Sequence, residues 1–378
     1  MKLGINACRA RSGGAKAHLI GILSEGNPVA HGFTRIHVWS YRELLDALPS
    51  PPWLVKHCPS ATDAAMPWQL WWERFTLPRQ INVSGCNLLL NVDAGTVCRY
   101  RPAVTMSRDM LAFEPGEAAR FGLSKARLRQ VILRSVQCRS LMHADASIFL
   151  TEYASKVIQQ CCGSPRALKI IPHGVSEDFK RGPDRIKWPD ECERPIRIFY
   201  VSPIMLYKHQ WHVVRGVEML RAKGFDVLLT LIGEADDAGL RLLKKQCLDS
   251  DPGRVFVDYV GPVPHSMVKQ LLGQADIFVF ASSCENMPNS LIEAMSCGLP
   301  IACSDRGPMP EVLKDGGVFF DPERPDAIAS AVERIVTDPA MRERIAKRAF
   351  DLSCAYSWKR CAEDTFSFLA QTARLNVT

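Results

Sequence analysis

Short apolar runs alternate with helix-periodic segments along almost the whole chain, and the alternation breaks once. "KLGINAC" reads as a strand, and "GGAKAHLIGILSEG" as a glycine turn leading into a helix. "RIHVWS", "NLLLNV", "PAVTMS", "ASIFLT" and "ALKIIP" are further strand candidates. Between them, "SKARLRQVILRSVQCRSLMHA" and "EYASKVIQQCCG" have helical periodicity. Strands that alternate with helices favour parallel sheets layered between helices. The break is "EDFKRGPDRIKWPDECERP", charged and proline-rich, after which "IRIFYVS", "DVLLTLIG", "RVFVDYVG" and "DIFVFASS" restart the pattern. The spacing therefore predicts an α/β chain of two doubly wound domains: 1–176, a linker over 177–194, and 195–355. The helix within 356–378 is expected to pack back on the first domain. Ligands of such sheets bind beyond the carboxyl ends of the strands, and two domains place the natural site in the cleft between them.

A length of 378 residues, with 47% hydrophobic and 23% charged, suits such a pair of domains. No run of 18 apolar residues is present to span a membrane, and the start "MKLGINACRARSGG" lacks an apolar signal core, so the expected location is the cytoplasm. The net charge of +7 is uneven: residues 1–190 carry +10 and the remainder −3. A basic half points to an anionic partner. No basic arm or interleaved aromatic pattern favours nucleic acid, which leaves a phosphorylated ligand or an acidic membrane surface. The fourteen cysteines are scattered without a Cys-x-x-Cys pair and read as reduced, packed thiols. Adjacent Cys161 and Cys162 suit neither chelation nor an ordinary disulfide.

One stretch concentrates chemistry. After the strand "DIFVFA" comes "SSCENMPNSLIEAMSCG", with Glu285 and Glu293 eight residues apart. Ser290 and Glu293 fit a Ser-x-x-Glu capping box, and Gly298 fits the position past a helix end, so Glu293 reads equally as a capping acid. Glu285 has no capping role. The helix start from Pro288 through Asn289 and Ser290 to Leu291 favours a phosphate. Carboxylates on either side of it would accept from hydroxyls of the phosphate's neighbours, and sugars are such neighbours.

With "AMSCGLPIACSDRGPMPEVLKDGGVFFDP" behind it, this Glu-x7-Glu stretch resembles the signature of the large family of retaining GT-B nucleotide-sugar glycosyltransferases, glycosyl transferases group 1, of bacterial surface-polysaccharide type. "SGGAKAHLIGIL", "FLTEYASKVI", "IIPHGVSEDF" and "YKHQ" extend the resemblance over nearly the whole chain. It implies two Rossmann-like domains facing a central cleft. It also implies that Glu285 holds donor-sugar hydroxyls and Glu293 the ribose. Backbone amides around Pro288 to Leu291 would bind the diphosphate, Met287 and Ser202 would also line the donor, and Lys208 would neutralise the leaving group. Gly13 and Gly14 would admit the donor closely. No metal or other cofactor is implied, and no Asp-x-Asp is present to hold one.

The chain departs from the family pattern at three places. Ser202 stands where an arginine usually lies. Ser107, Arg108 and Asp109 stand near a usual histidine, which makes Arg108 a phosphate or acceptor candidate and Asp109 a proton acceptor. "GPMP" replaces a glycine pair near Gly307. His173 replaces a usual asparagine, reads as an interdomain hydrogen-bonding residue and is a further acceptor candidate.

The resemblance implies transfer of a hexose, with mannose from a guanosine donor as the leaning, to a saccharide or lipid-linked acceptor of envelope polysaccharide. A nucleotide-sugar 2-epimerase and a non-catalytic nucleotide-sugar binder are the alternatives. A dehydrogenase is excluded because "ACRARSGGA" lacks Gly-x-Gly-x-x-Gly. His209 and His212 have helical spacing without a third ligand nearby.

Two features stand outside this reading. "PWQLWWERFTLP" holds three tryptophans in five positions and reads first as a buried aromatic cluster, second as an interface-seeking segment or acceptor platform. Arg120, Lys125, Arg127, Arg129, Arg134 and Arg139 surround one helix. They read first as a solvated face, second as a dock for acidic lipid headgroups at the inner face of the plasma membrane or for a diphosphate-linked acceptor.

Overall fold

The computed structural model describes residues 1–11, 13–180, 182, 188 and 194–375. The chain divides into two compact units, Met1–Gly174 with Ser357–Thr378, and Val175–Tyr356. The expected linker 177–194 lies mostly outside the described residues, and its described start, the 3₁₀ turn Glu177–Phe179, belongs to the second unit.

The first unit is built on a seven-stranded parallel sheet. Its strands are β1 Lys2–Asn6, β2 Arg35–Trp39, β3 Leu54–His57, β4 Leu88–Asn91, β5 Ala103–Met106, β6 Ala146–Phe149 and β7 Leu168–Ile170. They lie in the order β3-β2-β1-β4-β5-β6-β7. The central strands are short and buried along their length, as parallel strands covered on both faces must be. β3 was not among the expected strands: it is an edge, only half-buried, and Lys56 and His57 break its apolar run.

The Gly13–Glu25 helix covers this sheet and packs on the terminal Trp358–Leu375 helix. The close approach requires Gly21, where a Cβ would lie 2.3 Å from the Trp358 indole.

The second unit carries six parallel strands: β8 Ile196–Val201, β9 Val227–Ile232, β10 Val257–Gly261, β11 Ile277–Phe280, β12 Ile301–Ser304 and β13 Val318–Phe320. Their order is β10-β9-β8-β11-β12-β13. The order reverses between β8 and β11, as it does between β1 and β4. In doubly wound sheets the crevice beyond such a reversal is where ligands bind. The loops after β8 and β11 therefore mark the place to look.

Two sequence expectations fail in the first unit. Of the three tryptophans, only Trp72 is buried, in a cluster with Trp39, Leu77 and Ile81; Trp68 and Trp71 are exposed. The reason is a π-helical segment, Trp72–Thr76, that turns Trp72 and Glu73 inward and leaves Trp71 and Phe75 outside. Cys162 is bonded to Cys138, joining the Lys125–His143 and Glu152–Cys162 helices with Cα atoms 5.0 Å apart. Its partner lies on another helix, so adjacency to Cys161 does not matter. The remaining buried thiols fit the expected packing: burial pushes Cys86 up to about 11 and Cys98 to about 12.

Candidate functional site

The loop after β8 runs from Ser202 to His209. Ser202 continues the strand, its amide donating to the Ile232 carbonyl at 2.8 Å. Gly233 lies against it with φ +148; a Cβ there would be 2.2 Å from the Ser202 oxygen. At the far end of the loop, the Lys208 amide donates to Met205 O at 2.9 Å and the Tyr200 hydroxyl donates to Lys208 O at 2.8 Å. His209 takes left-handed geometry, φ 53, and its Nε2 is 3.0 Å from Ser283 Oγ. The Ser283 amide in turn donates to Tyr207 O at 2.8 Å. The two strand-end loops are therefore stitched together by backbone and imidazole.

That stitching brings Lys208 onto Glu285. The ammonium is bonded to the Glu285 carboxylate, with both side chains largely buried, and it also lies 5.6 Å from the centre of the Phe280 ring. Lys208 and Glu285 are 77 residues apart, and the switch between β8 and β11 makes them neighbours.

The helix after β11 is Asn289–Ser296, with Pro288 as its N-cap and no side-chain cap. The capping-box reading of Ser290 and Glu293 is thus corrected: Ser290 lies inside the first turn, two residues past the N-cap. Glu293 pairs instead with His265 Nε2 at 2.7 Å, which raises the His265 pKa. Gly298 does sit just past the helix end, with φ 72. Pro288 has no N–H, Asn289 donates to Met287 O, and Leu291 and Ile292 donate to Pro288 O. Of the amides expected to bind phosphate, that of Ser290 is left without an intramolecular partner among the described residues. Met287 is buried beneath this turn. Gly307, with φ 58, brings the loop after β12 to within 3.9 Å of the Glu285 amide, measured from its ideal Cβ.

His209 and His212 stack at 5.3 Å, and His212 Nδ1 lies 3.0 Å from Pro322 O, so both rings serve the fold. No sequence signal marked His265, 28 residues from its partner, or the Ser283 contact to His209.

Gly13, Gly14, Arg108, Asp109 and His173 belong to the first unit. Gly13 opens the Gly13–Glu25 helix, and a Cβ there would meet nothing within 4 Å. Arg108 Nη1 donates to Ala15 O at 3.2 Å, and burial pushes its guanidinium down to about 10, Asp93 opposing. Asp109 accepts from the Leu111 amide at 2.9 Å, so one of its oxygens shapes its own loop. His173 is buried, its ring 4.7 Å from His18 and 5.9 Å from Trp358, which makes it part of the packing inside the first unit.

Residues 185–351 match the family model described as glycosyl transferases group 1. The matched stretch is similar to that family and takes in less than half of the chain. It contains both glutamates and Lys208. Similar proteins include the O-antigen chain mannosyltransferase B of Escherichia coli, 33% identical over 112 residues, 30% of this chain and 29% of that one. The alpha-D-kanosaminyltransferase of Streptomyces kanamyceticus is 26% identical over 238 residues, 61% of each chain. The matches thus span less than two thirds of these relatives. The crystal structure of Anabaena Alr3699/HepE in complex with UDP superposes with a TM-score of 0.72 at 18% identity, covering 98% of this chain and 100% of that one. At that identity the likeness speaks for the fold: two Rossmann-like units of the GT-B class.

Proposed function

We propose that the chain is a retaining glycosyltransferase that moves a hexose from a nucleoside-diphosphate sugar to a saccharide or lipid-linked saccharide acceptor. The observation that carries this is the Lys208–Glu285 pair at the β8/β11 switch point, with the helix that carries the Ser290 amide following β11. An ammonium and an unengaged amide fit a diphosphate. A carboxylate fits sugar hydroxyls. In the donor-free chain each holds the other. An arriving diphosphate draws Lys208 away, and that frees Glu285 for the sugar. Glu293 lies one helical turn beyond Ser290, suited to ribose hydroxyls.

Transfer then rests on electrostatics: Lys208 and the helix start stabilise the departing diphosphate. The leaving phosphate takes the acceptor hydroxyl proton on the face from which it departs, which retains configuration. Mannose from its guanosine donor, and an envelope polysaccharide built at the inner face of a membrane, are the substrate and setting we favour. The Escherichia coli relative's name supports mannose. No metal enters this scheme.

The test is transfer of radiolabelled hexose by purified variants. Glu285→Ala or Lys208→Ala each lowers turnover at least about a hundredfold while the circular dichroism spectrum stays unchanged. Near-normal rates in both would remove the assignment.

A further inference from the structure

Outside the site just described, the first unit carries an unusual surface. The Lys125–His143 helix buries only Gln137 and Leu141, although it is 19 residues long. Leu128 and Ile132 continue the stripe of Val136, Arg139 and His143 along one side of it, and Val131 flanks them. Facing its C-terminal half are the Met66–Trp71 helix and the π-helical turn after it, whose Trp68, Trp71 and Phe75 rings form a ladder 6.4 and 5.9 Å apart. These six apolar side chains, three on each side, are 49% to 65% exposed. Isolated exposed apolar residues are ordinary, but a cluster of this kind marks an interaction surface.

Between the two elements lies a trough of about 730 Å³. Leu70, Trp71, Phe75, Val97, Val136 and Met142 make it apolar, and Arg74, Arg99 and Arg139 stand in its wall. The charge is single-signed. From Ala118 to Ala144 the sequence has no acid, and in the aromatic segment the one acid, Glu73, is buried and held by Arg9 at 2.8 Å. Among the described residues, Arg74, Arg99, Arg127, Arg129, Arg134 and Arg139 have no ion-pair partner. Aromatic rings beside unpaired arginines, around an apolar trough, match the layered chemistry of a bilayer interface, anionic phosphate above hydrocarbon.

We propose that this face docks on an anionic lipid bilayer, with Trp68, Trp71, Phe75 and the Leu128 stripe entering the interface. The arginines meet lipid phosphates, and the trough accepts the upper part of one acyl chain. The occupant is a membrane rather than a protein partner because the charged residues lining the trough are all arginines and the exposed apolar groups beside it are aromatic and aliphatic. The proposal deepens the membrane setting of the reading above and rests on it for its purpose. Its geometry stands on the first unit alone.

The experiment is co-sedimentation of the full chain with vesicles of phosphatidylcholine, alone or with about 30% phosphatidylglycerol, at low and high salt. The expected result is binding only to the anionic vesicles, weakened by salt. Trp71→Ser/Phe75→Ser and Arg74→Glu/Arg139→Glu each lower the partition coefficient at least about tenfold, with unfolding temperature and nucleoside-diphosphate binding retained. Absence of binding to anionic vesicles, equal binding to neutral ones, or unchanged binding in both double variants overturns the proposal. So does a dimer in solution that Trp71→Ser/Phe75→Ser dissociates. A chain that transfers sugar but ignores vesicles overturns this surface alone. A chain that binds vesicles but no nucleotide-sugar supports the surface and overturns the donor reading.

Discussion

Lys208 and Glu285 each depend on the other when no donor is bound. Removing one leaves a charge in a largely buried place, so Lys208→Ala or Glu285→Ala should each lower unfolding stability by about 3 kcal/mol in the donor-free chain. The double variant should lose less than the sum, and a denaturant double-mutant cycle measures the difference. The second glutamate gives a pH signature. The pKa of His265 is raised by its bond to Glu293, so that bond is fully present below the ordinary imidazole pKa and is lost as pH rises through the raised value. If Glu293 holds the ribose as proposed, protonated His265 competes with it for that carboxylate. Donor affinity should therefore improve as pH rises through that window, and His265→Ala should flatten the change in a binding titration across pH 6–8. Both glutamates were legible in the sequence because their spacing brackets a helix start. Their partners were not: Lys208 reaches Glu285 through the sheet order, and His265 reaches Glu293 from a neighbouring loop.

Among the elements, the packing of the Gly13–Glu25 helix on Trp358–Leu375 turns on Gly21. Any side chain there overlaps the Trp358 indole, so Gly21→Val should cost about 1–3 kcal/mol and lower the unfolding temperature, while a change at exposed Leu375 should not. The Cys138–Cys162 bond closes a separation of 24 residues. Reduction should lower unfolding stability by about 3 kcal/mol, and Cys138→Ser should make the chain insensitive to reductant. Strand and helix alternation was readable because central parallel strands are apolar throughout. Edge strand β3 hid because it is half-buried and polar. The Ser290–Glu293 capping pattern misled because Pro288 starts the helix earlier than the motif assumes. The tryptophan run misled because a π-helical turn, which periodicity does not register, changes which rings face inward.

For the whole molecule, the two sheets share one winding order, and in the second unit the loops after the reversal carry the group 1 signature. The break in alternation reads as a linker over 177–194 with a second domain from 195, whereas the second compact unit already begins at Val175. The charge contrast between halves was also legible, though not its concentration beside exposed aromatic rings, which needs the third dimension. The central claim is that Lys208 serves the diphosphate and Glu285 the sugar. Isothermal titration calorimetry with a nucleoside diphosphate and its hexose derivative separates these roles. Lys208→Ala should weaken both ligands at least about tenfold. Glu285→Ala should weaken only the nucleotide-sugar and leave the nucleoside diphosphate as tight or tighter, because Lys208 no longer has to be drawn from a carboxylate. No binding by the unaltered chain, or the same loss for both ligands in both variants, would contradict the account.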